Sequence, residues 1–309
     1  MSKRNSQEAK RAARERLRVE REKQAKREKM RRQLVVGGSI VAVLAIAAGV
    51  GVAVSNMGGN GGEGDSSDWS AATKLAEKGD GGSVSVDGEK VKYAAPANTS
   101  GKNGSEIVVG DEKAEHTLGV FEDMRCPICS TFEQTTGKAI LEDIDKGKYK
   151  ASFTFGTFLD KNPAAAGTGS KNALSALGAA LNVSPEAFLE YKETLYSKEH
   201  HPEETDDAFA SDDDLIEIAQ NVKELKGNKG FEKAVKDGTY DAWAMQISKK
   251  FDKSGVQGTP TIKLDGKHLK ADSQGSPPMS PEQLNTLVDK EIAAKGKGGG
   301  DEEKDKDKG

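Results

Sequence analysis

The chain has 309 residues, of which 35% are hydrophobic and 31% are charged. This composition is too polar for one compact core spanning the whole chain, so it predicts a folded domain with long solvated segments. The net charge of -4 is unevenly distributed, because residues 1–33 contain 14 Lys or Arg and five Glu. These residues therefore carry +9 and the remainder carries -13, which indicates different surroundings for the two parts.

An uncharged apolar run follows the basic segment at residues 34–54. About 20 apolar residues are enough to cross the hydrocarbon core of a bilayer as a helix. Lys and Arg precede the run, whereas residues 55–68 after it contain neither. The positive-inside rule therefore predicts a cytoplasmic basic arm at 1–33, one transmembrane helix at 34–54, and an extracytoplasmic remainder.

A cleaved signal peptide is the competing interpretation, since Ala53-Val54-Ser55 resembles a cleavage site. The basic region and the apolar run are longer than those of ordinary signal peptides, which favours an uncleaved anchor. No cysteine directly follows the run, so a lipoprotein anchor is excluded. The basic arm lacks interleaved aromatic residues, so we expect it to contact anionic lipid and not nucleic acid.

Composition also divides the rest of the chain. Residues 55–104 are rich in Gly, Ser, Asn and Asp and predict a flexible extracytoplasmic tether, with a short hairpin at Ser83–Tyr93. Residues 296–309 are strongly polar and predict a disordered tail. The folded domain is therefore expected at residues 105–295.

The first elements of this domain alternate between strand and helix. Short apolar segments at Ile107–Val109 and Thr117–Phe121 predict strands. A helix is expected from Cys126 to Asp145, weakened or kinked at Gly137, and residues 149–158 predict a further strand.

A helical block follows, and then the chain returns to the sheet. Capping residues suggest helix starts at Ser170, Ser184, Ser211 and Thr239. The last elements are a strand at Thr261–Leu264, a turn at Asp265-Gly266, a strand at Lys267–Leu269 and a helix opened by Ser280. This order predicts an α/β fold with a helical insertion at about residues 160–255.

The only two cysteines, Cys126 and Cys129, lie where a predicted strand meets a predicted helix, in the sequence CPIC. Unpaired N–H groups and the helix dipole at this end favour a thiolate at Cys126. Pro127 suits the first helical position, where its missing N–H costs no hydrogen bond. Cys129 lies on the same face, close enough for a disulfide. The pair is predicted to be redox-active, with Cys126 exchanging with an external thiol and Cys129 resolving the mixed disulfide.

Two structural roles for the cysteines are less favoured. A disulfide over so short a loop would stabilise the fold little. A zinc site would need ligands such as His200 and His201, which lie far along the chain without zinc-ligand spacing. No metal or organic cofactor is therefore expected.

The segment FEDMRCPIC, the distant Gly258-Thr259-Pro260 and the helical block between them resemble the DsbA-like branch of the thioredoxin superfamily. The resemblance covers about residues 105–295. It implies a thioredoxin-like fold with an inserted helical domain and a cis Pro260 that faces the cysteines. It also implies that Thr259 and Pro260 bind substrate, with the backbone of Thr259 pairing with an extended chain.

The residues around the cysteines depart from the family pattern. Ile128 stands where strongly oxidising members often have His, and it cannot stabilise the thiolate, so a less oxidising disulfide is expected. Arg125 is expected to compensate by direct attraction, so Arg125, Pro127 and Ile128 are the predicted tuning residues.

Two further departures concern acidic residues. Val120 stands six residues before Cys126, where many thioredoxin-like proteins carry a buried acid. Glu122 and Asp123 are candidates to replace it, although a solvated strand end is the favoured interpretation. The acidic stretch at residues 203–214 is expected to be a solvated loop.

These features predict a membrane-anchored, extracytoplasmic thiol–disulfide oxidoreductase that introduces disulfides into secreted or cell-surface polypeptides. The resemblance implies reoxidation by a membrane partner of the DsbB or vitamin K epoxide reductase type. Ile128 keeps open a reductase or isomerase supplied by a transmembrane electron carrier. A non-catalytic polypeptide-binding module is the alternative from another class.

Overall fold

The computed structural model describes residues 69–79, 82–86 and 89–298. The predicted basic arm at 1–33, the predicted transmembrane helix at 34–54 and residues 299–309 of the predicted tail lie outside the described residues. Within the part that is described, none of the helices has the length and hydropathy needed to cross a lipid bilayer.

The first described elements belong to the segment predicted as a tether. Helix α1 (Trp69–Lys78) is followed by a hairpin of β1 (Ser83–Val86) and β2 (Glu89–Lys92). The α1 side chains at helical spacing, including Leu75, are buried, so this segment adds to the core. The tether prediction for 55–104 is therefore wrong from residue 69 onward, whereas the hairpin lies where the sequence predicts it.

The central sheet has five strands in the order β3-β5-β4-β6-β7. Their ranges are β3 (Ile107–Val109), β4 (Thr117–Asp123), β5 (Lys150–Gly156), β6 (Thr261–Leu264) and β7 (Lys267–His268). Strands β4 and β5 are parallel, and the other pairs are antiparallel. Val120 in β4 lies between Phe153 of β5 and Ile262 of β6, so β4 is flanked on both sides. The strands predicted from the sequence are all present.

The helix after β4 is interrupted but continuous. It consists of α2 (Pro127–Phe132), a π-helical segment (Glu133–Gly137) and α3 (Lys138–Asp145). The irregularity ends at Gly137, the residue where the sequence predicts a weak point. π-helical insertions are often associated with functional sites, because they reorient the side chains they carry.

Five helices lie between β5 and β6, and one follows the sheet. They are α4 (Gly169–Val183), α5 (Pro185–Leu195), α6 (Asp212–Ala219), α7 (Lys229–Lys236), α8 (Asp241–Lys253) and α9 (Pro281–Gly298). The sequence did not predict α7, although Asn228 caps it by accepting a hydrogen bond from the N–H of Phe231 at 3.1 Å. Helix α9 reaches Gly298, so residues 296–298 are helical and not part of a disordered tail.

The inserted helices share one core with the sheet. Phe188 of α5 contacts Phe153 of β5 edge to face, with 5.6 Å between ring centroids. Helix α8 packs against β5 and against α1. Aromatic burial of this kind contributes strongly to core stability, so the insertion is fixed against the central sheet, whose strand β4 leads into the cysteines.

Candidate active site

Cys126 occupies the N-cap of α2, as predicted. Its Sγ accepts a hydrogen bond from the N–H of Cys129 at 3.3 Å, and Pro127 follows at the first helical position. Both cysteines are free thiols; Cys126 is 6% exposed and Cys129 is 0% exposed. The outer cysteine is therefore the one a partner thiol can reach, and the inner one is recessed.

The two thiols differ in acidity. A hydrogen bond from Cys129, and then one from Thr259, lowers the pKa of Cys126 against the opposing effect of burial. Burial, and then the hydrogen bond and charge of Cys126, raises the pKa of Cys129. The thiolate is therefore favoured at Cys126 over Cys129, which makes Cys126 the better nucleophile and the better leaving group.

Thr259 and Pro260 lie beside the cysteines although they are distant in sequence. Strand β6 pairs with β4, with Thr261 opposite Phe121, and this pairing brings the preceding loop to the start of α2. The carbonyl oxygen of Thr259 lies 3.6 Å from the Sγ of Cys126. The Thr259–Pro260 peptide bond is cis, the geometry that the resemblance implies.

Ile128 is at the surface next to Cys126. Its side chain is 41% exposed, and Val91 is the only other large hydrophobic residue as exposed among the described residues. Pro127 is exposed as well. These two side chains therefore present an apolar rim to any polypeptide that approaches Cys126.

Arg125 does not act as predicted. Its guanidinium is buried and points into the helical insertion, where Nη1 lies 3.1 Å from Asp207 and 3.3 Å from Asp160. Its Nη2 donates to the carbonyl oxygen of Glu204 at 3.0 Å. The positive charge is thus balanced by carboxylates of the insertion, so the geometry supports a bracing role and not direct attraction to the Cys126 thiolate.

Asp123 is buried and not solvated, which corrects the predicted strand end. It accepts hydrogen bonds from Ser170 Oγ at 2.6 Å, from the N–H of Leu159 at 3.2 Å and from the N–H of Arg125 at 3.1 Å. Burial nevertheless raises the pKa of Asp123 to about 7. Most of the acidic stretch at 203–214 is exposed or half-buried as expected, with Asp207 engaged by Arg125. Its last three residues are not loop, because they form the first turn of α6.

Glu122 is also fully buried, again contrary to the predicted strand end. Lys192 Nζ lies 3.6 Å from its Oε2 and 2.6 Å from Oε2 of Glu133. The sequence reasoning missed Glu133 and Lys192 as residues of the site. The alternation of β4 carried a signal for Glu122, since it shares a face with the buried Leu118 and Val120.

His200 and His201, the two candidate zinc ligands, are not part of a metal-binding group of side chains. His201 Nε2 is 3.2 Å from the carbonyl oxygen of Met124, and its ring stacks on Tyr196. Burial lowers the pKa of His201 to about 4. Among the described residues, no three His, Cys, Asp or Glu side chains are placed to hold a metal ion together.

The fold and the paired cysteines agree with a family match. The family model described as thioredoxin matches residues 102–290. The chain belongs to the thioredoxin family. The predicted superfamily and enzyme class, a DsbA-like protein thiol–disulfide oxidoreductase, are thereby confirmed.

Other proteins resemble this thioredoxin-family chain. Disulfide bond formation protein D of Bacillus subtilis is 29% identical over 167 residues, which cover 53% of this chain and 69% of that protein. The structure of oxidised BdbD from Bacillus subtilis aligns with a TM-score of 0.49 and 22% identity, covering 65% of this chain and 100% of the other. Oxidised DsbA from Mycobacterium tuberculosis aligns with a TM-score of 0.48 and 22% identity, covering 59% and 87%.

Proposed function

We propose that this protein is an extracytoplasmic, membrane-anchored oxidase that introduces disulfides into secreted or cell-surface polypeptides. Catalysis is assigned to Cys126 and Cys129, and substrate binding to Thr259 and Pro260. One observation supports oxidation of the substrate as the direction of the reaction. The pKa of Cys126 is lowered, whereas that of Cys129 is raised. A stabilised thiolate favours the reduced dithiol, so the disulfide form is a good oxidant.

The reaction follows from this asymmetry. A substrate thiolate attacks Sγ of Cys126, the bond to Cys129 breaks, and a mixed disulfide forms. A second substrate thiolate then attacks the substrate sulfur, and Cys126 leaves as a thiolate. Two substrate thiols are oxidised and the Cys126–Cys129 disulfide is reduced, with no need for a metal or an organic cofactor.

The proposed membrane anchoring and extracytoplasmic location of the enzyme are inferred from the sequence alone. The uncharged run at 34–54 and the basic arm at 1–33 support a single-pass anchor with a cytoplasmic N-terminus. A membrane oxidase of the DsbB or vitamin K epoxide reductase type would reoxidise the dithiol. Anchoring both proteins in one membrane raises their effective concentration.

A reductase or isomerase is the second candidate, and Ile128 is the observation that favours it. Its apolar side chain lies next to Cys126 and offers neither a hydrogen bond nor a positive charge to the thiolate. The equilibrium reduction potential of the purified full chain separates the two, measured in glutathione buffers with thiol alkylation as the readout. A value near about -120 to -180 mV supports the oxidase, and one near about -270 mV supports the reductase.

Two variants test whether the cysteines act at all. Cys126→Ser is expected to abolish disulfide exchange, whereas Cys129→Ser is expected to accumulate mixed disulfides with clients, because the resolving thiol is missing. If Cys126→Ser retains full activity in cells, the protein is a binding module and not a redox enzyme.

A further inference from the structure

Asp123 places a buried carboxyl group at the end of β4, three residues before Cys126. Its carboxyl oxygens accept hydrogen bonds from Ser170 Oγ and from the N–H groups of Arg125 and Leu159. Its backbone carbonyl oxygen accepts a hydrogen bond from the N–H of Cys126 at 2.9 Å. The carboxyl group is therefore fixed within the turn that leads to the reactive thiol.

Asp123 has no cation of its own. It forms no ion pair with any residue that the structure describes, and the guanidinium of Arg125 is shared instead by Asp160 and Asp207, at 3.3 and 3.1 Å. A carboxylate that is buried without a counter-ion is costly, and its three hydrogen bonds offset that cost only in part. Burial, with a smaller contribution from the charge of Asp160, raises the pKa of Asp123 to about 7. The carboxyl group therefore exchanges its proton near neutral pH.

Two other titratable side chains contact the same turn. Tyr196 donates its hydroxyl to the carbonyl oxygen of Asp123, and burial raises the pKa of Tyr196 well above its usual value. His201 lies against the carbonyl oxygen of Met124, and burial lowers its pKa to about 4. Neither group changes its charge near neutral pH. The charged groups on the other elements packed around the carboxyl group are Arg125 in the turn, Asp160 after β5, Lys171 at the start of α4 and Asp207 in the acidic stretch.

The charge of Asp123 acts on the reactive thiol. The hydrogen bond from Cys129 lowers the pKa of Cys126, whereas burial and the charge of Asp123 oppose that effect. Two groups that repel each other when both are ionised have linked titrations. Cys126 gains a negative charge when the disulfide opens, so Asp123 holds its proton more tightly in the reduced protein than in the oxidised protein.

We propose that Asp123 is a positioning residue that couples the acidity of Cys126 to pH, taking up a proton when the disulfide opens and releasing it when the disulfide re-forms. The proposal rests on the proposed function and deepens it, because it concerns the regulation of the same thiol. A neutral Asp123 leaves the Cys126 thiolate unopposed, whereas an ionised Asp123 destabilises it. The disulfide is therefore a stronger oxidant below the pH at which Asp123 ionises than above it.

The linked reaction balances in atoms and in charge. A substrate thiolate bonds to Sγ of Cys126, the electron pair of the broken S–S bond passes to Sγ of Cys129, and Cys129 takes one proton from water. A second substrate thiolate then bonds to the substrate sulfur, and Cys126 leaves as a thiolate with the electron pair of the mixed disulfide. An ionised Asp123 takes a further proton from water. The substrate pair is oxidised to a disulfide, the enzyme pair is reduced, and the opening consumes between one and two protons.

The test measures the equilibrium constant for disulfide exchange between the full chain and glutathione from pH 5 to 9, with thiol alkylation as the readout. Asp123→Asn keeps the shape of the side chain and removes its charge. The constants of the variant and the unaltered protein should agree at pH 5, where Asp123 is neutral in both redox states. By pH 9 the variant should be about 10-fold more oxidising, because the unaltered protein then holds a like charge beside the thiolate.

Comparison at the same pH cancels the titration of glutathione, so the ratio of the two constants reports on the protein alone. A ratio that is the same at every pH would overturn the proposal. A constant ratio of one would mean that Asp123 does not act on Cys126, and a constant ratio other than one would mean that the substitution acts through the structure and not through a proton.

Ser170→Ala provides a second test that retains Asp123. Loss of the hydroxyl removes a hydrogen bond that favours the ionised carboxyl group, so Asp123 should stay neutral to a higher pH. The ratio of this variant to the unaltered protein should rise above pH 7 and return toward one as both carboxyl groups ionise. Ser175→Ala is the matched control, because Ser175 is buried on the same helix and donates to Asp241 at 2.7 Å. Identical pH profiles for the Ser170 and Ser175 variants would overturn the proposal even if Asp123→Asn failed to fold.

These outcomes are separate from those for the proposed function. A reduction potential near that of thioredoxin-like reductants would refute the oxidase and leave the ratios unchanged, because they compare variants of one protein. Conversely, ratios without pH dependence would refute the role of Asp123 and leave a strongly oxidising potential intact.

Discussion

Arg125 and Asp207 form an ion pair, with 3.1 Å between Nη1 and Oδ1, that joins the residue before Cys126 to the helical insertion. The same nitrogen lies 3.3 Å from Asp160, so one buried guanidinium is shared by two carboxylates. A buried cation is tolerated only when such partners offset the loss of hydration. The pair therefore fixes the active-site turn to the insertion.

Arg125→Met is expected to lower the free energy of unfolding by about 3–5 kcal/mol, because it leaves Asp160 and Asp207 without their cation. Lys236→Met is the matched control, since Lys236 pairs with Asp213 at 3.2 Å on the surface and its loss should cost about 1 kcal/mol or less. Urea denaturation of the full chain measures both. Equal losses would mean that Arg125 is not a brace.

Ile128→His is expected to make the disulfide more oxidising, because an imidazole next to Cys126 can donate a hydrogen bond to the thiolate. A hydrogen bond to a charged group contributes about 1.5–3 kcal/mol, which corresponds to roughly 30–60 mV. Titration in glutathione buffers gives the potential, with Ile128→Leu as the control for apolar bulk. If the His and Leu variants have the same potential, residue 128 does not tune the pair.

Asp123→Asn is expected to change how stability depends on pH. The pKa of Asp123 rises to about 7 in the folded protein, so the folded state binds the proton more tightly than the unfolded chain. Stability due to this group is therefore present below the unfolded pKa of about 3.9 and is lost as pH rises toward 7, by at most about 1.4 kcal/mol per pH unit.

Unfolding free energies measured from pH 4 to 8 check this sign. The Asn variant should show a shallower decline than the unaltered protein, because its side chain does not titrate. Asp145→Asn, at an exposed position, should retain the original slope. A decline that is as steep in the Asp123 variant as in the control would assign the pH dependence to other groups.

Leu75→Ala tests whether α1 is part of the folded domain. Leu75 is buried in the shared core, so truncation should cost about 2–5 kcal/mol of unfolding free energy. Val91→Ala in the neighbouring hairpin removes a side chain that is 41% exposed and should cost less. Thermal and urea denaturation of the full chain provide the comparison. A negligible effect of Leu75→Ala would restore the tether interpretation.

Local pattern was sufficient for most of the sheet and for the position of the cysteines. A short apolar segment located β4, alternation located β5, and Pro127 after Cys126 placed both thiols at a helix start. The tether prediction was wrong because it relied on the Gly- and Ser-rich composition of the segment and ignored its helical spacing of apolar residues. Residues around Leu75 looked like a polar tether because Gly and Ser surround them, yet Ala72, Leu75 and Ala76 are the buried residues of a helix.

The sequence by itself determined the redox pair and its neighbours along the chain, because capping, proline placement and i to i+3 spacing act within a few residues. Only the tertiary structure decided where charges are buried and what they face. Glu122 and Asp123 are consecutive acids that look solvated in the sequence, but α4, α5 and the π-helical segment cover them. Burial depends on packing between elements that are distant in the chain, and the local sequence pattern does not show which elements pack together.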